Sequence, residues 1–104
     1  MAAKYNVTVF ENARIMLLEH VDFLAQISVE AAERLMSQFD RAVERIGDNP
    51  YQFPIADNMD APDLPPNAYR KCLFEKRYKA LFIVEEGEVF VDAVIDSRME
   101  NKDI

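Results

Sequence analysis

The chain has little of several residue types, and each shortage argues against one kind of site. Its 104 residues include one cysteine, one histidine, two glycines and no tryptophan. A lone cysteine cannot form an internal disulfide, which favours a reducing compartment. Two glycines cannot build a glycine-rich phosphate loop, and His20 and Cys72 lie too far apart in the sequence to suggest a zinc-ligand pair. We therefore expect neither a metal site nor a cofactor.

Long apolar runs are also missing. No stretch approaches the roughly 20 apolar residues that a membrane span requires. The first ten residues, MAAKYNVTVF, carry one early charge at Lys4, and no apolar run of secretory length follows. We therefore expect a cytoplasmic protein without a signal peptide and without a membrane partner.

The remaining composition is that of a folded domain. Apolar residues make up 50% of the chain and aromatic residues 11%, which is enough for a packed core and argues against disorder. A chain of this length corresponds to one domain. We therefore expect a single domain over residues 1–104.

Positive charge is concentrated in one segment of an acidic chain. The formal net charge is −7, and such a charge repels nucleic acid at long range. Residues 69–79 nevertheless contain five basic side chains against Glu75 alone. They are Arg70, Lys71, Lys76, Arg77 and Lys79. We call residues 69–79 the basic segment.

The first half of the chain has the patterns of one strand and two helices. Alternation of apolar and polar residues predicts a short strand over Lys4–Phe10. Apolar spacings of three and four predict a helix from Glu11 to about Gln26. Ser28 is expected to cap a second helix that Gly47 closes in a left-handed turn before Pro50. The two helices should form an antiparallel hairpin.

The second half has the patterns of a sheet. A proline-rich connection spans residues 48–67, with apolar anchors expected at Tyr51, Phe53, Ile55 and Met59. Strands are predicted over Tyr69–Glu75, Tyr78–Glu85 and Glu88–Asp96, with Glu86 and Gly87 as a tight turn. The fold class is therefore α+β, with an N-terminal strand and a helical hairpin packed on a mainly antiparallel four-stranded sheet.

Two interpretations of the basic segment follow from the residues alone. A sheet face that carries Arg70, Lys79 and Arg98 could hold a phosphodiester. Alternatively, these charges are solvated gatekeepers that block edge-to-edge aggregation. Composition favours the second interpretation. For His20 a structural or solvent-facing role is the expectation, and for Cys72 the role of a small buried hydrophobe.

The element order and the string YRKCLFEKRYKALFIVEEGEVFVDAVIDSR resemble the RelE/ParE toxin superfamily, which includes plasmid stabilisation proteins of type II toxin–antitoxin modules. The resemblance covers nearly the whole chain. It implies a growth-inhibiting toxin that a cognate antitoxin neutralises. RelE-like members cleave messenger RNA on the ribosome, whereas ParE-like members poison DNA gyrase and are not nucleases.

The resemblance also implies roles for individual residues. The cationic positions of a ribosome-dependent endoribonuclease fall on Arg70, Lys79 and Arg98, which are the candidate catalytic residues. Cys72 stands where RelE has lysine, and Ile104 falls near the position at which many RelE-like nucleases have an aromatic or histidine acid–base group. An isoleucine cannot donate or accept a proton. The basic segment is therefore expected to bind a polyanion or an acidic partner rather than to cut RNA. Lys71, Lys76 and Arg77 are the candidate residues for binding the target or the antitoxin.

The same departures leave a second hypothesis open. In this alternative, the chain keeps the fold without toxicity and acts as a partner-binding module. Growth arrest on expression of the chain alone distinguishes a toxin from such a module.

Overall fold

The computed structural model describes residues 5–56 and 68–97. The elements are β1 (Asn6–Val9), α1 (Glu11–Ala25), α2 (Val29–Asp48), a short 3-10 helix (Pro50–Gln52), β2 (Arg70–Phe74), β3 (Tyr78–Glu85) and β4 (Glu88–Asp96). The sheet order is β1-β4-β3-β2. β1 is parallel to β4, and the other neighbours are antiparallel. The predicted α+β fold class is confirmed.

The second helix begins as predicted and ends differently. The Ser28 side chain accepts a hydrogen bond from the Ala31 N–H at 3.1 Å, which is the expected N-cap. Gly47 does not close the helix, since it lies buried inside α2, which continues to Asp48. Its carbonyl accepts a hydrogen bond from the Tyr5 N–H at 3.0 Å. A contact at the start of β1 therefore satisfies a carbonyl that a left-handed cap would otherwise satisfy.

The two hairpin turns of the sheet use positive backbone angles. Glu86 and Gly87 have φ of 46° and 84°, and they join the paired residues Glu85 and Glu88. This confirms the predicted two-residue turn. The turn between β2 and β3 has positive φ at Glu75 and Lys76 as well.

The helical hairpin covers one face of the sheet. Phe82, which is fully buried, lies in the interior strand β3, and Phe39 of α2 packs against Phe74 of β2 with ring centroids 5.8 Å apart. Alternation along β2 and β3 divides their side chains between two faces. The face toward the helices carries Cys72, Phe74, Tyr78, Ala80 and Phe82. The opposite face carries Lys71, Leu73, Lys79 and Leu81.

The first part of the proline-rich connection lies against the sheet. Phe53 packs edge-on against Phe82 at 5.8 Å, as expected of an apolar anchor. Ile55 forms an antiparallel bridge with Arg70. The predicted anchor Met59 lies outside the described residues. Within those residues, neither helix has the length and apolar character that crossing a membrane requires.

Replacement of Phe82 by alanine should test the core. Phe82 is fully buried, so Phe82→Ala should lower the free energy of unfolding by about 3–5 kcal/mol in urea denaturation. Phe23 is 57% exposed, so the control Phe23→Ala should cost less than about 1 kcal/mol. Equal losses in the two variants would contradict the assignment of Phe82 to the core.

Candidate functional site

The basic segment occupies one edge of the sheet. It comprises the residue before β2, β2 itself, the turn after it and the first two residues of β3. β2 is an edge strand because β3 is its partner in the sheet and the order ends there. Arg70 and Lys71 therefore lie on the edge strand, Lys76 and Arg77 in the turn after it and Lys79 in β3, so their surroundings differ.

Arg70 holds the connection before β2 onto the sheet. Its Nη1 donates a hydrogen bond to the Phe53 carbonyl at 2.7 Å. Its guanidinium lies 5.0 Å from the ring centroid of Tyr51, within cation–π distance. The side chain shares the helix-facing side of β2 with Cys72, as the sequence predicted. These contacts give Arg70 a structural role whatever else it binds.

Lys79 lies on the other face of the sheet. It is paired with Leu73, whereas Arg70 is paired with Phe82. Paired residues share a face, and Arg70 and Leu73 are an odd number of positions apart, so Arg70 and Lys79 lie on opposite faces. The structure therefore does not form the expected single face with these two cations, and Arg98 lies outside the described residues. Lys71 and Lys79 instead line a hollow of about 380 Å³ with Leu73.

Arg77 is built into the end of the sheet. Its Nη2 forms an ion pair with Asp96 at 2.8 Å, and the Asp96 side chain is only 9% exposed. Its guanidinium lies 4.9 Å from the ring centroid of Tyr78. The Arg77 carbonyl accepts hydrogen bonds from the Ser97 N–H at 2.6 Å and the Ser97 hydroxyl at 2.7 Å. Arg77 thus ties the β2–β3 turn to the end of β4, while Lys76 in the same turn is exposed.

The histidine and the cysteine both have structural surroundings. His20 Nε2 lies 3.1 Å from the Val94 carbonyl, and its ring lies 5.1 Å from that of Tyr78. Cys72 is fully buried, and burial raises the pKa of its thiol, while the nearby Arg45 guanidinium lowers it. A neutral buried thiol is a poor nucleophile. Across the described residues, no group of three or more His, Cys, Asp or Glu side chains could hold a metal ion.

Sequence reasoning missed a groove between α2 and β2. The groove has a volume of about 680 Å³ and includes Arg41 and Arg45 of α2, Leu73 of β2 and Lys76 of the turn. Glu44, Asp48 and Glu75 also line it, so positive and negative charges are balanced there. Arg41 and Arg45 are four positions apart on the polar side of α2, and that spacing was the available signal. Only the packing of α2 beside β2 shows that the two arginines meet the basic segment.

The backbone of β2 is open at Leu73. The N–H of Lys71 donates to the Pro54 carbonyl at 3.0 Å, on the side away from β3. The hydrogen-bonding groups of successive residues in a strand point alternately to one neighbour and the other. The N–H and C=O of Leu73, two residues after Lys71, therefore also point away from β3. No described residue accepts a hydrogen bond from the Leu73 N–H, and the Leu73 side chain is 54% exposed. This edge can accept another strand.

The side chain of Tyr69, the residue before β2, forms a hydrogen bond with a residue of β4. The Tyr69 hydroxyl donates to Asp92 Oδ2 at 3.0 Å. Desolvation raises the pKa of Tyr69, and the hydrogen bond and the negative charge of Asp92 raise it further. Tyr69 is therefore neutral at physiological pH and links the residue before β2 to β4.

Replacement of Arg77 distinguishes a structural role from a binding role. Arg77→Ala removes the ion pair with the largely buried Asp96 carboxylate, so the free energy of unfolding should fall by about 1–3 kcal/mol. The control Lys76→Ala removes an exposed charge from the same turn and should change stability by less than about 0.5 kcal/mol. Urea denaturation provides both values. Unchanged stability of Arg77→Ala would show that Arg77 is not needed for the fold.

Comparison with known proteins found similarity in structure but not in sequence. No protein-family model matches the chain, and no curated protein matches it in sequence. Among solved structures it is similar to a chain of the "Chromosomal ParDE TA system from P. aeruginosa", with a TM-score of 0.68 at 15% sequence identity. The alignment covers 91% of this chain and 98% of that chain. The two helices on a mainly antiparallel sheet are therefore a ParE-like α+β fold.

Proposed function

We propose that the chain is the toxin of a type II toxin–antitoxin module, and that it inhibits growth by binding DNA gyrase rather than by cleaving ribosome-bound messenger RNA. The observation that carries this proposal is the ParE-like fold, which matches nearly the full length of both aligned chains. A cognate antitoxin holds the toxin inactive. The cytoplasm is the corresponding compartment, since gyrase is there and Cys72 is a free thiol.

The placement of the cations supports binding over cleavage. Cleavage of RNA needs cations around one phosphate and a group that accepts the 2′-hydroxyl proton. Arg70 and Lys79 lie on opposite faces of the sheet, so they do not converge on one phosphate from a common face. Cys72, which lies between them in the sequence, is fully buried. The arrangement of these three residues favours a surface that binds over a centre that cuts.

The open edge of β2 supports a docking mode for the antitoxin. The Leu73 backbone points away from β3, and the exposed Leu73 side chain offers an apolar contact. Lys71 and Lys79 lie on the same face as Leu73, and Lys76 follows in the turn. A disordered acidic segment that adds a strand here gains backbone hydrogen bonds from Leu73 and attraction from the lysines.

Expression of the chain alone tests the toxin assignment and its target together. Induction should arrest growth, and co-expression of the small neighbouring gene product should restore it. The purified chain should inhibit gyrase supercoiling and leave messenger RNA intact in a translation extract. Normal growth at good soluble expression would overturn the toxin assignment and favour the partner-binding module, and cleavage of messenger RNA would overturn the choice of gyrase.

A matched pair of variants on α2 tests the docking of the antitoxin. Arg41 lines the groove beside β2, so Arg41→Glu should weaken the complex with the neighbouring gene product about tenfold, as measured by calorimetry. Arg34→Glu is the control, because it makes the same charge change at an exposed position two turns earlier on α2 that does not line the groove. Equal affinities of the two variants would place the antitoxin elsewhere.

A further inference from the structure

The end of the helical hairpin where α1 meets α2 exposes three large apolar side chains. Phe23, Ile27 and Val29 are 57%, 71% and 64% exposed, which are the three highest values among the large apolar residues that the structure describes. None of them lines the groove beside β2. We call these three residues the hairpin tip. Large apolar side chains exposed together are characteristic of a surface that a partner covers.

The backbone of the joint holds the hairpin tip together. The N–H groups of Ile27 and of the next residue both donate to the Leu24 carbonyl, at 2.9 and 2.7 Å. Gln26, which follows α1, keeps helical angles with φ of −70° and ψ of −22°. Phe23 and Ile27 therefore lie one helical turn apart on the same side. Val29 follows directly as the first residue of α2.

Acidic side chains flank the hairpin tip on both helices. Residues 15–33 contain four carboxylates and neither lysine nor arginine. The four are exposed, and we call them the acidic rim: Glu19, Asp22, Glu30 and Glu33. Glu19 lies one turn before Phe23 on α1, and Glu33 lies one turn after Val29 on α2. Apolar contact area and negative charge are therefore presented side by side.

Helix stability does not account for the charge of the rim at the end of α1. The carbonyl end of a helix has a partial negative charge, which basic side chains in the last turn offset. α1 has no basic residue in its last turn, where Asp22 lies instead. The carboxylate and the helix end therefore add their negative potentials beside the hairpin tip.

The hairpin tip lies away from the sheet. Phe39 of α2 contacts Phe74, the last residue of β2. Phe39 follows Val29 by ten residues, which span about 15 Å of α-helix. The α2 residues that line the groove beside β2 begin at Gln38, at a similar distance along the helix. A partner on the hairpin tip therefore docks on a different part of α2 from a partner in that groove.

We propose that the hairpin tip and its acidic rim form the surface by which the toxin binds its target, and that the target offers an apolar socket edged by lysine and arginine. This inference rests on the proposed function, in which the target is DNA gyrase. An apolar centre within a polar rim is the usual anatomy of a protein interface. An enzyme that acts on DNA presents cationic side chains to phosphates, and such side chains complement the rim.

The sign of the rim argues against other occupants. The acidic antitoxin segment proposed for the β2 edge would be repelled by the rim, as would nucleic acid or an anionic membrane. A two-fold contact between the tips of two copies would set like charges against each other. The chain thus has a basic edge that attracts an acidic partner and an acidic tip that attracts a basic one.

Inhibition of purified DNA gyrase tests the hairpin tip. Phe23→Ser and Ile27→Ser should each weaken inhibition of supercoiling at least about tenfold, because each removes an exposed apolar contact with the target. Glu33→Lys should also weaken it, since the new charge repels a basic surface. Calorimetry should show that all three variants bind the neighbouring gene product as the unaltered chain does.

Two further variants are matched controls. Tyr51→Ser removes an aromatic side chain that is 56% exposed, close to the 57% of Phe23. Glu85→Lys makes the same charge change as Glu33→Lys at an exposed position in β3. Both controls should inhibit supercoiling as the unaltered chain does. Circular dichroism should show that all variants are folded, because the altered side chains are exposed.

The outcomes separate this inference from the proposed function. If the unaltered chain inhibits gyrase and the tip variants inhibit it equally well, the inference is overturned and the proposed function stands. A folded tip variant that no longer binds the neighbouring gene product would assign the tip to the antitoxin, and a changed sedimentation coefficient would assign it to another copy. Either result overturns the inference. Absence of inhibition by the unaltered chain would overturn the proposed function and this inference with it.

Discussion

The packing of the helical hairpin on one face of the sheet determines what the rest of the molecule presents. Phe39 of α2 and the sheet residues Phe74 and Phe82 belong to one buried cluster, and burial of each such side chain contributes about 1.5–3 kcal/mol. Because side chains alternate along a strand, burial of Phe74 and Phe82 forces Leu73 and Lys79 to the opposite face. The hydrophobic core thus sets the position of the charges.

This constraint gives the basic side chains of the segment different surroundings. Arg70 and Arg77 are engaged within the fold, through the Phe53 carbonyl and the Asp96 carboxylate. Lys76 is exposed in the turn, and Lys71 and Lys79 line the hollow on the outer face of the sheet. The two arginines hold neighbouring segments of the fold together through these contacts. These surroundings agree with the proposal that the segment binds a partner and does not cleave a phosphodiester.

The helical hairpin has a second consequence, because two grooves border α2. The groove beside β2 has balanced charges and adjoins an open strand edge, which suits an extended partner segment. The groove beside α1 is largely apolar, with Arg14 and Asp40 on its walls. One helix therefore borders two grooves whose linings differ in chemistry.

Local patterns in the sequence determined the element types, the Ser28 cap and the hairpin turn at Glu86 and Gly87, because these depend on residues close in the chain. The sequence also located the concentration of positive charge. Tertiary structure alone decided the end of α2, where the Tyr5 N–H reaches the Gly47 carbonyl, and the register that separates Arg70 from Lys79. It also brought Arg41 beside β2 and Arg14 to the same groove as Asp40. Such relations follow from packing between distant segments, which periodicity within one segment does not specify.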